Sequence, residues 1–271
     1  MSVPRLGVGF GWRPELAALA ARRETLGFVE IVAESADHGL PRAIDALRAR
    51  GVEVIPHGVS LAIGGAELPA RANVDRLVHL QARLGSPLVS EHLCFVRGGG
   101  LESGHLLPVP RTREALEVVV ENVRAVQAEL PVPLALENIA TFFEWPGAEM
   151  DEATFLGEVL DRTGALLLLD LANLHANARN LGWDPIAFLD RLPLERLAYV
   201  HMAGGEERNG HYHDTHAHAV VPKVLDLLSE LAARVPQPNV LLERDDNFPA
   251  EAAIEAELDA IESAIGGHLH V

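Results

Sequence analysis

The sequence predicts an α/β fold, a closed (β/α)8 barrel of the TIM type, from three observations. Short apolar runs rich in Val, Leu and Ile recur along the chain, bounded by Gly, Pro or charged residues, as is typical of buried parallel strands. Segments with apolar residues at i, i+3, i+4 and i+7 separate these runs, as amphipathic helices would. Eight of each alternate strictly, which favours a closed barrel over an open doubly wound sheet.

The predicted elements follow one another without a linker. The strands are expected at 6–10, 28–34, 52–58, 88–95, 134–140, 166–174, 197–204 and 240–245. The helices are expected at 14–26, 41–51, 73–85, 112–130, 151–164, 184–192, 220–235 and 249–266, several opening with Asp, Pro or Thr and several ending at Gly. Residues 1–271 are therefore expected to form a single TIM-barrel domain.

Composition narrows the function classes. The net charge of −17 over 271 residues argues against binding nucleic acid through a general electrostatic field. The single cysteine, Cys94, allows no internal disulfide and lies in an apolar run, so a core position is expected. No N-terminal signal is visible and no apolar run approaches the ~20 residues that span a bilayer, so a cytoplasmic protein without a membrane partner is expected.

Ionisable residues stand at the predicted C-terminal ends of successive strands, where barrels of this type place their active sites. An acid or imidazole in an apolar strand is costly unless it is paired or coordinated. Six strands in succession carry one, which favours a shared metal site over unrelated polar residues of the core. The candidate metal ligands are His57, His92, Glu137, Asp170, His201, Asp214, His216 and Glu243.

These ligand types limit the choice of metal. Imidazoles and carboxylates without thiolates suit Fe, Zn or Mn. One first-row ion takes about four to six ligands, so two or three ions are predicted, with Glu137 as the bridging carboxylate. We expect Glu137, Asp170 and His201 to form the catalytic core. Neighbouring strand residues point to opposite faces, so His92 is the predicted ligand and Glu91 is expected beside it.

The stretch 197–218 carries the densest set of candidates. An apolar strand, LAYVHMAG, leads into a predicted polar loop that contains His211, His213, Asp214, His216 and His218. Such a loop could fold back and bring Asp214 and His216 to His201. The alternative is a solvated, His-rich loop without a ligand.

Several motifs together resemble the DUF692 (UPF0276) family of multinuclear non-heme iron-dependent oxidases. They are PHGVSLAIGG, LVSEHLCF, ENIATFFEWP, LLLDLANLHANA, YVHMAGG, DTHAH and LLERDDNFP, in order between about residues 6 and 260. The resemblance implies a barrel of the xylose-isomerase type with two or three irons as mixed Fe(II)/Fe(III). It also implies O2-dependent oxidation of cysteines in a ribosomally made precursor peptide, with a small partner protein presenting the peptide. The methanobactin biosynthesis oxidase is a relative.

The resemblance carries over the same eight ligands, with two departures. Asn173 stands three residues after Asp170, where the related endonuclease IV barrels have a histidine ligand. Ser35 replaces an asparagine that often follows the acids of the second strand, which leaves the roles of Glu30 and Glu34 open. Residues expected beside the metal or in contact with substrate are Glu30, Glu34, Glu91, Asn138, Asn173, Arg244 and Asp245.

Two other functions fit the same residues. One is a zinc- or manganese-dependent isomerase or phosphodiesterase of the xylose isomerase or endonuclease IV type, although the acidic charge and Asn173 count against a nucleic-acid substrate. The other is a non-catalytic metal-binding or peptide-carrier protein. The segment 204–214 is expected as a long polar loop at the active face. The segment 142–150 is expected to expose aromatic residues after the fifth strand, as a lid, a packing contact or a docking site for a partner.

Overall fold

The computed structural model describes residues 3–266, and its centre is a closed barrel of parallel strands. The strands are Val8–Gly11 (β1), Phe28–Val32 (β2), Glu53–Gly58 (β3), Val89–His92 (β4), Cys94–Gly98 (β5), Leu101–Pro108 (β6), Leu134–Glu137 (β7), Leu166–Asp170 (β8), Leu197–Met202 (β9), Gly204–Arg208 (β10), His211–His218 (β11) and Val240–Leu242 (β12). The barrel order is β1-β12-β9-β8-β7-β4-β3-β2. The predicted fold class is thereby confirmed.

Helices cover the outside of the barrel. They are Ala17–Arg22 (α1), Arg42–Ala49 (α2), Arg71–Leu84 (α3), Arg113–Gln127 (α4), Glu152–Thr163 (α5), Leu171–Leu181 (α6), Pro185–Leu189 (α7), Pro222–Arg234 (α8) and Glu251–Gly266 (α9). Their ends follow local chemistry: the Asp151 side chain accepts from the Thr154 backbone N–H at the start of α5, and Gly164 ends that helix with φ +73°. None of these helices, within residues 3–266, has the length and apolar character to cross a membrane.

Apolar side chains fill two layers. The larger one lies between the strands and the helices. A smaller cluster uses alternate residues of the same strands and includes Phe28, Ile55, Ala135, Tyr199 and Leu241. Phe28 and Tyr199 meet edge to face at 5.7 Å. Polar residues then begin towards the C-terminal ends of the strands, so the apolar cluster forms a floor under them.

Strand register brings polar residues of neighbouring strands side by side. Asp170 on β8 pairs with His201 on β9, and His92 on β4 pairs with Glu137 on β7. His57 on β3 pairs with Ser90 on β4. Because parallel strands share one direction, these residues lie at one end of the barrel.

The predicted strand 166–174 is wrong in its second half. The strand ends at Asp170, and α6 begins at Leu171. The Asp170 side chain accepts a hydrogen bond from the Asn173 backbone N–H at 2.8 Å, so this residue both ends a strand and caps a helix. The strand predicted at 28–34 is also too long, since residues 33–38 form a 3-10 helix.

Two hairpins were missed. The predicted polar loop after His201 is an antiparallel hairpin of β10 and β11. Its turn is Asn209-Gly210, with both residues at positive φ, the dipeptide that two-residue hairpin turns prefer. The segment predicted as one strand at 88–95 splits at Leu93, and β5 continues into a second hairpin with β6.

Candidate metal centre

Glu137 lies at the centre of the polar end of the barrel. Its Oε2 atom is 3.5 Å from Nε2 of His57 and 3.5 Å from Nε2 of His92. Its Oε1 atom is 3.2 Å from Nδ1 of His201. The carboxylate is 1% exposed, so three imidazoles from three strands face it in a dry environment.

A second group continues from His201 towards the hairpin. Glu243 Oε2 is 3.1 Å from Nδ1 of His201 and 3.3 Å from Nδ1 of His216. Nε2 of His216 lies 2.6 Å from Asp214 Oδ2 and 3.9 Å from Asp170 Oδ2. All eight sequence-predicted ligands are therefore brought together, seven from the ends of barrel strands and the hairpin, and Glu243 from just after β12.

Within residues 3–266, these side chains form five overlapping groups of three, each with ligand atoms within 4.8 Å of one another. The groups are His57–His92–Glu137, Glu30–His201–Glu243, Glu137–Asp170–His201, Asp170–Asp214–His216 and His216–Glu243–Asp245. Five residues each occur in two groups: Glu137, Asp170, His201, His216 and Glu243. An arrangement of overlapping triads suits more than one ion, because one residue can serve two neighbours.

Unpartnered oxygens test whether a cation fits. Among the described residues, Glu137 Oε2, Asp170 Oδ2 and Asp214 Oδ1 are buried and have no hydrogen-bond partner. A buried carboxylate oxygen without a partner costs free energy, and a divalent cation bound between such oxygens removes that cost. The donor set of imidazole and carboxylate is also the one that Fe, Zn and Mn accept. The residues present therefore fit a metal centre.

The pKa values reflect the same crowding. Burial raises the pKa of Asp170 well above its usual range, and the neighbouring Asp214 and Glu137 raise it further. Burial also acts to raise the pKa of Glu137, but His201 and His92 outweigh it and bring that pKa to about 2. The His92 pKa is lowered by burial, yet Glu137 and Glu91 raise it to about 9. Without a metal, His92 holds a proton that compensates the neighbouring carboxylates, and metal binding would release that proton.

Three predicted neighbours of the ligands hold them in place. Glu91 is fully buried and accepts from the backbone N–H groups of His92 at 2.8 Å and Leu61 at 2.9 Å. Asn138 donates to the Asp170 carbonyl at 3.0 Å and accepts from the Asp170 N–H at 2.9 Å. Asn173 donates from its side chain to the Asn138 carbonyl at 3.0 Å, which ties the start of α6 to β7.

The comparison with protein families decides the family. A model of the family described as "RiPP precursor modification enzyme MbnB/TglH/ChrH" matches residues 7–265. The chain belongs to this family. Its members are thus described as enzymes that modify the precursors of ribosomally synthesised peptides, and the resemblance inferred from the motifs is confirmed.

Relatives support the assignment over nearly the whole chain. A UPF0276 protein of Streptomyces avermitilis is 54% identical over 268 residues, which is 96% of this chain and 55% of the relative. The chain thus spans about half the length of that protein. A UPF0276 protein of Caulobacter vibrioides is 37% identical over 258 residues, with 93% of this chain and 92% of the relative covered.

Solved structures of distant sequence share the barrel. The IolI protein with a bound zinc atom matches with a TM-score of 0.64 and 15% identity, over 98% of this chain and 100% of that one. The D-psicose 3-epimerase of Clostridium cellulolyticum H10 matches with a TM-score of 0.60 and 13% identity, over 98% and 100%. At this identity the likeness shows the fold alone.

Not every predicted residue of this MbnB/TglH/ChrH family member reaches the cluster. Glu34 lies in the 3-10 helix after β2, where it accepts from the Ser60 hydroxyl and lies 3.3 Å from the Val59 backbone nitrogen. It occurs in none of the ligand groups of the described residues, because the strand ends before it. Arg244 is 3% exposed and pairs with Glu257 at 2.7 Å, so it is neither a surface ion pair nor directed at the ligands.

Asp245 lies at the rim of the centre, with its side chain 40% exposed and Oδ2 at 3.3 Å from His216 Nδ1. Its other oxygen pairs with Arg13, a residue that the sequence analysis did not select. Arg13 follows β1 and also lies 3.8 Å from Glu243. The sequence could have indicated Arg13, because it follows the end of the first strand. The other candidate residues lie at or after the ends of later strands in the same way.

Glu30 lies deeper, with Oε2 at 3.0 Å from Nε2 of His201. The Tyr199 hydroxyl contacts the same carboxylate oxygen and also the Ser90 hydroxyl, at 2.7 Å. Ser90 and Tyr199 were missed although each stands two residues before a predicted ligand, His92 or His201, and so shares its strand face. Burial raises the pKa of Tyr199 well above its usual range, so this hydroxyl stays protonated.

A cleft of about 710 Å³ leads from the surface to part of the candidate metal centre. Its deep end is lined by His92, Glu137 and Asp214. Its walls come from β6 on one side and the segment after β7 on the other, where Phe142 is 52% exposed and Phe143 41%. The expected exposure of aromatic residues at the active face is thereby observed.

Proposed function

We propose that this chain is a multinuclear iron-dependent oxidase that uses O2 to modify cysteine residues of a ribosomally synthesised precursor peptide. The observation that carries the proposal is the position of Glu137, whose two oxygens lie between the pair His57 and His92 and the imidazole of His201. One oxygen is buried without a hydrogen-bond partner among the described residues. A carboxylate so placed suits a bridge between two ions, and modification of a peptide agrees with the family description.

The overlapping ligand groups divide the work of holding the metals. His57, His92 and Glu137 would hold one ion, and Glu137, Asp170 and His201, with Glu243 beside them, a second. Asp170, Asp214 and His216 offer a place for a third. Bound iron would pass electrons from the substrate cysteine, which is oxidised, to O2, which is reduced. Glu137, Asp170 and His201 are the residues we assign to the catalytic core, since the group that they form shares a residue with three of the other four groups.

The protein's own contribution is binding and exclusion of water. The cleft is larger than one cysteine side chain, so residues that flank the cysteine would fit in it. Its apolar walls include Leu107, Ile139 and Phe142, which would pack on the peptide and keep water from its deep end. A cysteine thiol that reached the deep end would meet His92 and Glu137.

A partner protein would dock at the mouth of this cleft. Phe142, Phe143 and Leu101 are the large apolar side chains that stand out there or on the adjoining hairpin, at 52%, 41% and 76% exposure. The acidic chain offers no basic field for nucleic acid, so an apolar peptide or protein surface is the better match. The proposed docking site rests on the exposure of these apolar side chains and on their position at the mouth of the cleft.

Metal content tests the proposal. Protein purified without added metal should contain two or three irons per chain by elemental analysis, and His201→Ala should lose iron and activity while the far-UV circular dichroism spectrum stays. His79→Ala is the matched control, because His79 is exposed on α3, where its side chain hydrogen-bonds to the Asp75 carbonyl at 2.7 Å. Full iron content in His201→Ala would contradict the site assignment.

Two other results would replace the proposal. Zinc or manganese in place of iron, with no O2 uptake, would support the isomerase or phosphodiesterase alternative on this barrel. Bound metal without turnover of any cysteine peptide would support a carrier. The decisive positive result is O2 consumption and a mass change in a cysteine-containing precursor peptide encoded beside this chain's gene.

A further inference from the structure

A buried chain of hydrogen bonds runs beneath the candidate metal centre and joins two of its histidines. Nδ1 of His57 lies 2.9 Å from the Ser90 hydroxyl oxygen, and that oxygen lies 2.7 Å from the Tyr199 hydroxyl. Tyr199 contacts Glu30 Oε2, which also lies 3.0 Å from Nε2 of His201. None of these five residues is more than 3% exposed. The hydrogen bonds of this chain are therefore made between the five side chains themselves and not to bulk water.

The direction of each hydrogen bond follows from the donors available. A carboxylate only accepts, so the Tyr199 hydroxyl must donate its single proton to Glu30. Tyr199 then has only lone pairs to offer, and Ser90 must donate to it. With its proton used, the Ser90 oxygen can only accept from His57. His57 therefore carries its proton on Nδ1.

The same carboxylate oxygen fixes His201 from the other side. Glu30 Oε2 can only accept a hydrogen bond from Nε2 of His201, so Nε2 carries the proton that points towards Glu30. The nitrogens left for a metal are then Nε2 of His57 and Nδ1 of His201. These are the atoms that face Glu137, at 3.5 and 3.2 Å.

We propose that Glu30, acting through Tyr199 and Ser90 on one side and directly on the other, sets the tautomers of two metal-binding histidines at once. Glu30, Tyr199 and Ser90 are thus positioning residues that orient ligands of two different metal positions. The inference rests on the metal centre proposed above. It explains why a tyrosine hydroxyl lies at the boundary between the apolar floor and the ligands.

Tyr199→Phe tests the chain with Zn²⁺ as the probe. Without the tyrosine oxygen, the Ser90 proton turns to Nδ1 of His57, and His57 must carry its own proton on Nε2, the metal-binding atom. Zinc affinity at the His57–His92 position should fall about 10- to 100-fold, as is usual when a partner that orients a ligand is removed. Binding at His201 should change less, because Glu30 still accepts from it.

Nitrogen-15 NMR of the zinc-loaded protein reads the tautomer directly. In the wild type, Nδ1 of His57 should be protonated, and in Tyr199→Phe it should not. Ser90→Ala should weaken the same zinc position without a new clash, and the double variant should lose no more than the worse single one if the two act through one chain. Tyr212→Phe is the matched control, since its buried hydroxyl accepts from the Gly205 N–H at 2.9 Å, away from both histidines.

The inference is overturned if Tyr199→Phe binds zinc as tightly as Tyr212→Phe and keeps the wild-type nitrogen signals. A loss of thermal stability with unchanged zinc affinity would likewise assign the hydroxyl a role in packing alone. A wild-type chain that bound no zinc or iron would instead overturn the metal centre itself, which is a separate result.

Discussion

Asp170→Asn should change the stability of this protein in opposite directions with and without metal. Asp170 is fully buried, and its Oδ2 atom has no hydrogen-bond partner within residues 3–266. Its Oδ1 atom caps α6 through the Asn173 N–H at 2.8 Å, which an asparagine oxygen can also do. The substitution therefore removes the carboxyl group that a cation would bind and keeps the helix cap.

The structure gives the expected size of both effects. A buried polar group without a partner costs about 1–3 kcal/mol, and an asparagine N–H could donate to Asp214, so the metal-free variant should be more stable by about that amount. With metal, the variant lacks a carboxylate ligand. It should lose a stabilisation of about 2.7 kcal/mol per ion at a free metal concentration about 100 times Kd. Each kcal/mol corresponds to about 2–4 °C in Tm for chains somewhat shorter than this one.

Thermal unfolding in EDTA measures the stability change without metal. Unfolding in excess Fe²⁺ under anaerobic conditions measures the stabilisation by metal. Asp226→Asn is the control, since its side chain is 70% exposed on α8 and its loss should leave the response to metal unchanged. A lower Tm of Asp170→Asn in EDTA, or a rise with metal equal to the wild type, would refute the argument from unpaired oxygens.

Two further predictions concern residues outside the ligand set. Burial raises the pKa of Glu152 to about 7, Arg111 opposes this, and Glu144 and Asp151 add to it. Because the unfolded side chain ionises near pH 4.5, stability should fall as the pH rises from about 4.5 to 7. Glu152→Gln should thus be more stable than the wild type by up to about 3 kcal/mol at pH 8 and little changed at pH 4, by urea unfolding; an equal gain at both pH values would contradict the shift. Phe142→Ala, at a 52% exposed position, should cost less than about 0.5 kcal/mol of stability but raise the KM for a precursor peptide, with kcat retained; an unchanged KM would separate this wall of the cleft from the substrate.

The barrel and its ligands could be predicted because both follow from strand periodicity. His57, Asp170 and His201 each stand at the end of an apolar run, and the parallel direction of the strands brings such ends together. The end of the strand at Asp170 could not be placed, since LLLLDLANL is mostly apolar on both sides of the aspartate and a buried strand and a buried helix look alike in such a run.

The remaining errors have local causes. The Asn209-Gly210 dipeptide signals a hairpin, but the polar residues on both sides hide the alternation of a strand. The predicted strand 28–34 includes Glu34 and so predicts its side chain at the pocket. The 3-10 helix that begins at Ala33 instead turns this side chain towards Ser60. The hydrogen bonds between Glu30, Ser90 and Tyr199 depend on how the side chains of β2, β4 and β9 face one another across the barrel. A single sequence does not contain that information.

The ligands differ in what fixes them, and this bears on how many ions the chain holds. His57, His92 and Glu137 project from barrel strands whose backbones are paired on both sides. Asp214 and His216 project from a two-stranded hairpin, and His216 adopts φ +51°, held by the hydrogen bond from the Asp245 N–H to its carbonyl at 2.8 Å. The hairpin lies outside the barrel and is joined to α6 by two hydrogen bonds between Asn180 and Tyr212. Ligands on strands paired on both sides are held more rigidly than those on such a hairpin. The two barrel-held positions should therefore be preformed, whereas a third ion depends on the conformation of β10 and β11.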